Sequence, residues 1–299
     1  MNKLYIMVGL PASGKSTIAA EYVERHDAVL VSSDAIRAEI YGDENCQDDP
    51  SKVFDLMKKR TVAALREGYN VVYDATNINS KRRISLLRDI KKQVAHVIPV
   101  AVLILCPVDE CIKRDALRDR TVGEAVINKM LCNYQPPSYY EGFTTLEYHY
   151  TGNFINIEEL LGQTWDFDQK NHHHTLTLGD HMSKTAALVE DDFMLNLAAR
   201  YHDIGKLFVQ TFDEDGEAHY KNHHHVGAYI WLCSGLAHDW VFSDMAYAAQ
   251  YVAQLICWHM QPYFVDSYED FDEWGRKRGM KPPMIDDIWK LHCADLHAH

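Results

Sequence analysis

No stretch of this chain constrains its fold more than Gly9-Leu10-Pro11-Ala12-Ser13-Gly14-Lys15-Ser16-Thr17. It fits G-x-x-x-x-G-K-[ST], follows an apolar run from Leu4 to Val8 that reads as a buried strand, and leads into a helical pattern from Thr17 to Val23. That is a phosphate-binding loop in the context it requires. Its glycines let the backbone curl so that N–H groups and the helix N-terminus face a phosphate. Gly9, Ser13, Gly14 and Thr17 belong to that cradle, Lys15 reaches the terminal phosphates, and Ser16 offers a hydroxyl to Mg2+.

The first half continues in the same style. Apolar runs at 4–8, 28–32, 69–73 and 97–106 alternate with helical segments, which predicts a parallel sheet with helices on both faces and functional residues at the strand carboxyl ends. Ser32-Ser33-Asp34-Ala35-Ile36-Arg37 stands at one such end, with Asp34 able to take a proton from an acceptor hydroxyl. Asp74-Ala75-Thr76-Asn77 stands at another, with Asp74 placed to hold magnesium and, on the helix beyond, Lys81, Arg82 and Arg83 as a basic surface for an oligonucleotide acceptor, Arg82 among its contacts. For each aspartate, an N-cap on the next helix is the alternative. In Arg114 to Arg120, residues 114 and 118 are one helical turn apart, so that a shared face closes over phosphates or is a solvated, ion-paired surface.

On Gly9 to Thr17, Ser32 to Arg37, Asp74 to Asn77 and Arg114 to Pro137, the chain resembles the P-loop polynucleotide kinases of the phage 5′-hydroxyl type over about residues 1–150. The resemblance implies Lys15 and Ser16 on ATP and magnesium, Asp34 as general base on a polynucleotide 5′-OH, Arg37 on an acceptor phosphate, and Arg118 as the lid arginine, with Arg120 close enough to exchange with it. Val122 to Val126 departs from the Val-Pro of many such kinases, which touches loop shape and not chemistry.

Charge divides the chain. Residues 1–150 carry 20 Lys+Arg and 20 Asp+Glu, whereas 151–299 carry 10 and 23, together with 14 of the 17 histidines. Two chemistries on two domains follow, 1–162 and 163–299. An acidic chain does not coat duplex nucleic acid by charge, yet a site gripping one strand end remains open to it. Seven cysteines without a C-x-x-C pair read as reduced thiols. No apolar run approaches the ~20 residues that span a bilayer, and there is no signal-peptide pattern, so the expected location is the cytoplasm, away from membrane.

Beyond 163 the pattern is helical: 180–190, 193–203, 226–236, 244–259 and 285–297. The acidic run Asp213 to Glu217 reads as a solvated loop. His202-Asp203-Ile204-Gly205-Lys206 places two adjacent ligands at the end of an apolar helix. Both reach one ion only if other helices complete its shell, and His181 and Asp295 are the candidates. His172-His173-His174 is an internal cluster, either a loop over the site or plain surface. Trp165 to Gln169 beside it either packs or binds substrate.

This half resembles the HD phosphohydrolases, an all-α fold, through His181, His202-Asp203 and Asp295 in the family's order. The resemblance implies a second ion with His223 and His259, and phosphate contacts from Lys206 and His224, with His225 a neighbouring alternative. Two ions roughly 4 Å apart would generate hydroxide and stabilise phosphoryl oxygens. A histidine-rich shell favours Mn, Fe, Co, Ni, Cu or Zn over Mg.

A 5′-kinase joined to a phosphatase of 2′- or 3′-termini heals both ends left by RNA breakage. The expectation is an end-healing enzyme acting on RNA or DNA ends, upstream of an RNA ligase. The alternatives are a nucleoside or small-metabolite kinase joined to a nucleotide phosphohydrolase, and a kinase regulated by a non-catalytic helical module.

Overall fold

The computed structural model describes residues 1–44, 46, 48–170 and 175–298; the His172–His174 cluster lies outside them. The chain folds as two compact units, 1–123 with 137–151, and 124–136 with 152–299. This differs from the division at 162/163 expected from sequence. Gly152, at φ 110°, lies two residues beyond the end of the fifth strand, and Asn156 then caps a new helix by accepting from the Glu159 N–H at 3.3 Å.

In the first unit, β1 (Asn2–Val8), α1 (Lys15–His26), β2 (Ala28–Ser32), α2 (Ser33–Tyr41), α3 (Pro50–Arg66), β3 (Asn70–Asp74), α4 (Ser80–Gln93), β4 (Val97–Leu105), α5 (Val108–Ala116) and β5 (Thr145–Tyr150) build a five-stranded parallel sheet of order β2-β3-β1-β4-β5. The steps β1 to β2 and β2 to β3 run in opposite directions across the sheet. Right-handed crossovers therefore put α1 and α3 on opposite faces. Strands β1 and β4 read as continuous apolar runs because both faces are covered, and Leu4 to Val8 and Val100 to Leu105 are fully buried. Strand β5, the last of this sheet, ends at Tyr150.

The second unit contains α6 (Glu124–Leu131), α7 (Ile157–Thr164), α8 (Leu178–Ala187), α9 (Phe193–Tyr201), α10 (Lys206–Val209), α11 (His223–Leu232), α12 (Gly235–Val241), α13 (Ala246–Trp258), α14 (Tyr268–Lys277) and α15 (Pro282–His297). It is not purely helical: β6 (Thr211–Phe212) and β7 (Ala218–His219) pair antiparallel, and the acidic run is their turn. Asp213 holds that turn by accepting from the Asp215 and Glu217 N–H groups. Thr177, Asp192, Ser234 and Ser267 cap α8, α9, α12 and α14. Helix α6 joins this unit through Tyr134, whose ring meets Tyr229 edge-on at 4.6 Å, and through the Cys132 and Pro136 carbonyls, which lie 2.9 Å from His225 Nδ1 and 3.0 Å from Gln254 Nε2. Among the described residues no helix is long and apolar enough to cross a membrane.

Candidate functional site

The nine-residue loop turns between β1 and α1 as its motif requires. Ala12 and Gly14 take positive φ (58° and 94°), and a Cβ on Gly9 would stand 2.7 Å from the Ile104 carbonyl oxygen, so that position admits glycine alone. Thr151 donates to the Ser13 carbonyl at 2.7 Å, while Asn77 Nδ2 donates to the Met7 carbonyl at 2.7 Å and fastens the loop after β3 against the end of β1. Lys15 Nζ curls back on the Leu10 carbonyl at 2.6 Å. Burial lowers its pKa to about 8, against the opposing pull of Asp74 and Asp34 and with a further push from Arg118.

Neither aspartate is an N-cap. Ser32 caps α2 and Asn79 caps α4, which leaves both carboxylates available. Asp74 is buried at the end of β3, where burial raises its pKa against Lys15 and a hydrogen bond with Ser16. Asp34 is half-exposed in the first turn of α2; Arg37 Nη1 lies 2.7 Å from Oδ1 and Arg120 Nη1 3.6 Å from Oδ2.

Two sequence expectations are corrected in this unit. Arg114 and Arg118 do not share a helical face, because α5 ends at Ala116. The buried Asp115 carboxylate accepts N–H groups from Val122 (3.0 Å) and Gly123 (2.9 Å), folding the chain back at once. Arg114 pairs with Glu110 at 2.8 Å, and Arg118 lies exposed beyond the helix. Nor is Arg83 a surface cation. Its guanidinium is buried and forked onto Glu141 at 2.7 and 2.6 Å, with a third bond to the Asn77 carbonyl at 2.7 Å. Arg82 is exposed and lines a cavity of about 410 Å3 between α3 and α4, together with Phe54, Tyr73, Thr76 and Asn77.

In the second unit His181 (α8), His202 and Asp203 (after α9), His223 (α11), His259 (after α13) and Asp295 (α15) converge, all buried. Asp203 stands between two nests. Its Oδ2 lies 3.3 Å from His202 Nε2 and 3.6 Å from His181 Nε2, and its Oδ1 lies 2.9 Å from His223 Nε2 and 3.6 Å from His259 Nε2. Asp295 Oδ1 closes the first nest, 2.9 Å from His181 and 3.5 Å from His202. Close packing makes this convergence: a Cβ on Gly205 would meet the His223 carbonyl oxygen at 2.0 Å, so the turn after α9 touches α11 backbone to backbone.

The donor chemistry fits divalent metal. Nδ1 of His202, His223 and His259 faces a main-chain carbonyl three residues back, Ala199, Tyr220 and Ile256, at 2.7, 2.8 and 2.9 Å. A carbonyl only accepts, so Nδ1 carries the proton and each Nε2 turns a lone pair inward. His223 and His259 Nε2 then stand 3.3 Å apart, an arrangement that repels itself unless a cation lies between them. With protons alone to neutralise the carboxylates, burial would lower the pKa of His202, but Asp203 and Asp295 push it up to about 10. Burial also works against Asp203, yet Lys206, His202 and His223 hold it well below the usual carboxylate range. Three groups of donors, His181-His202-Asp203, His202-His259-Asp295 and Asp203-His223-His259, each gather within 4.8 Å.

Lys206 is buried, with Nζ 2.7 Å from Asp203 Oδ2 and donating to Gln169 Oε1 at 2.8 Å. His224 borders the centre, its ring 5.5 Å from His223 and 6.0 Å from His259, and burial followed by its imidazole neighbours keeps it neutral. His225 is turned away toward Cys132. In the 165–169 segment Gln169 is fully buried, whereas Trp165 lies against Gly179, where a Cβ would meet its ring at 2.9 Å, and is still 47% exposed. Sequence reasoning did not find Gln169 or Tyr263, whose hydroxyl donates to Asp295 Oδ2 at 2.8 Å. The segment holding Gln169 was noticed, but no spacing ties it to Lys206 across 37 residues.

Residues 4–137, less than half of the chain, match a family model described as an AAA domain. The first unit is a five-stranded parallel sheet with a phosphate-binding loop between β1 and α1. Among solved structures, a candidate kinase from Chloroflexus aurantiacus matches at 15% identity over 50% of this chain and 85% of that one, with a TM-score of 0.42. Two structures of a Pnkp1/Rnl/Hen1 complex, the second described as an RNA repair complex, match at 29% and 26% identity. They cover 38% and 43% of this chain, with TM-scores of 0.33 and 0.37. This chain spans only 38% and 42% of those chains. Among curated proteins no sequence matches.

Proposed function

We propose that the chain heals broken nucleic-acid ends, RNA foremost, by phosphorylating 5′-hydroxyls with ATP in its P-loop kinase unit and removing 2′- or 3′-terminal phosphates in an HD-type helical unit. The observation that carries this reading is the bridging position of Asp203 between two buried His/Asp nests, on the same chain as a complete phosphate loop. One phosphoryl chemistry adds and the other removes.

In the kinase unit the acceptor hydroxyl gives its proton to Asp34 as its oxygen attacks the γ-phosphorus, and ADP departs. Arg37 holds the Asp34 carboxylate at 2.7 Å and would meet an acceptor phosphate, while Arg120, paired with Glu44 at 2.8 Å, lies 3.6 Å from the same carboxylate. Lys15 neutralises the terminal phosphates, and Ser16 with Asp74 would hold Mg2+. In the helical unit the six ligands would hold two metal ions, whose chemistry is to lower the pKa of bound water and neutralise phosphoryl oxygens. Asp203 spans both nests, Lys206 and Gln169 fix its orientation, and His224, beside the centre, would contact a phosphoryl oxygen.

One observation favours a second reading, a small-molecule kinase joined to a nucleotide phosphohydrolase. The cavity beside Arg82 has room for a single nucleoside, and burial of Arg83 removes one cation from the basic surface that a polynucleotide would cross. Acceptor length decides. A short RNA with a 5′-hydroxyl and a 3′-phosphate, given ATP, magnesium and a panel of transition metals, should gain phosphate at one end and lose it at the other. Lys15→Ala should abolish only the gain and Asp203→Ala only the loss. Turnover of nucleosides and nucleotides with both RNA ends unchanged would replace the end-healing reading.

A further inference from the structure

Tyr263 sits on the short turn Gln261–Phe264 that follows ligand His259, and its two ends meet different surroundings. The hydroxyl donates to Asp295 Oδ2 at 2.8 Å, on the carboxylate whose other oxygen faces His181 and His202. The ring stands perpendicular to His292 on α15, centroids 4.3 Å apart, so it is braced at both ends by residues one helical turn apart. Yet the residue is 41% exposed, and the next, Phe264, is 73% exposed. A tyrosine whose sole task was to orient Asp295 would gain from burying its ring, since apolar area left in water forgoes hydrophobic stabilisation. This ring is instead held rigid and open, one hydrogen bond from the centre.

We propose that Tyr263 is a stacking platform for the nucleobase adjoining the phosphate, which makes the ligand of the helical unit a nucleotide end and not a phosphate monoester of any kind. The inference rests on the metal-centre reading above. Because its hydroxyl bonds Asp295, the ring adjoins the centre, and a phosphate held there would bring its own nucleoside toward it; base stacking on an aromatic face tolerates every base while rejecting alcohols that lack a flat surface.

Titration calorimetry on the full chain, with metal content quantified for each sample, compares adenosine 3′-monophosphate with inorganic phosphate. The ratio of the two affinities is read in wild type, Tyr263→Phe and Tyr263→Leu. Phenylalanine keeps the ring and loses the Asp295 bond, so it keeps the preference for nucleotide whatever it does to absolute affinity. Leucine loses both, and its preference should fall about tenfold. Equal ratios in the two variants overturn the platform while leaving the metal centre standing. A wild type that binds neither metal nor phosphate removes the centre, and this inference with it.

Discussion

Lys15 is the residue whose environment sets the ATP-binding behaviour of the first unit. Burial lowers its pKa to about 8 in the ATP-free protein. Phosphates in contact with the ammonium favour its charged form, so the ATP-bound pKa is higher and ATP binding takes up a proton wherever the free lysine is neutral. ATP affinity should therefore be flat below pH 8 and fall above it, approaching about tenfold per pH unit by pH 9. Calorimetry at pH 7 and pH 9, in buffers of different ionisation enthalpy, reads both the affinity and the proton. Constant affinity to pH 9 would mean that the lysine is fully charged before ATP arrives.

At the scale of elements, two contacts decide how the helices are set. The Arg83–Glu141 fork ties α4 to the turn before β5 with both side chains out of water. Arg83→Met should destabilise the first unit by about 3–5 kcal/mol in denaturant unfolding, because Glu141 is left buried and unpaired, whereas Arg83→Met with Glu141→Met should recover most of that loss. Gly205 is the other. An alanine there meets backbone that cannot yield, so Gly205→Ala should abolish metal binding by the second unit while ATP binding at the P-loop persists. The phosphate loop, the parallel sheet and the helices that bring six His and Asp side chains together were legible because each is written in local spacing. The arginine face after α5 was misread because a single carboxylate, Asp115, ends the helix by gathering N–H groups from residues 122 and 123, and no periodicity announces such a bond. Arg83 looked like a surface cation for the same reason: its partner lies 58 residues away.

For the whole molecule the telling segment is 124–136, which belongs to the second unit although first-unit residues flank it on both sides. Composition and charge located two domains but could not show this excursion, because α6 is an ordinary amphipathic helix whose destination is set by Tyr134 and by the carbonyls of Cys132 and Pro136. A fragment beginning at residue 163 should therefore show exposed apolar surface and weakened metal binding, with His225 and Gln254 deprived of their acceptors. Supplying 124–136 as a peptide should restore protection of α11 and α13 in hydrogen exchange. Equal protection with and without the peptide would assign the segment to the first unit. There is also a consequence during synthesis. Cys132 leaves the ribosome 93 residues before His225, and at 5–20 residues per second Ile127, Leu131 and Tyr134 wait roughly 5–20 s for the helices that will cover them. Strand β5, which closes the first sheet, is also made before that wait is over. The nascent chain thus carries a finished parallel sheet with an orphan helix looped out of it, which is the kind of surface that chaperones hold until its partner is made.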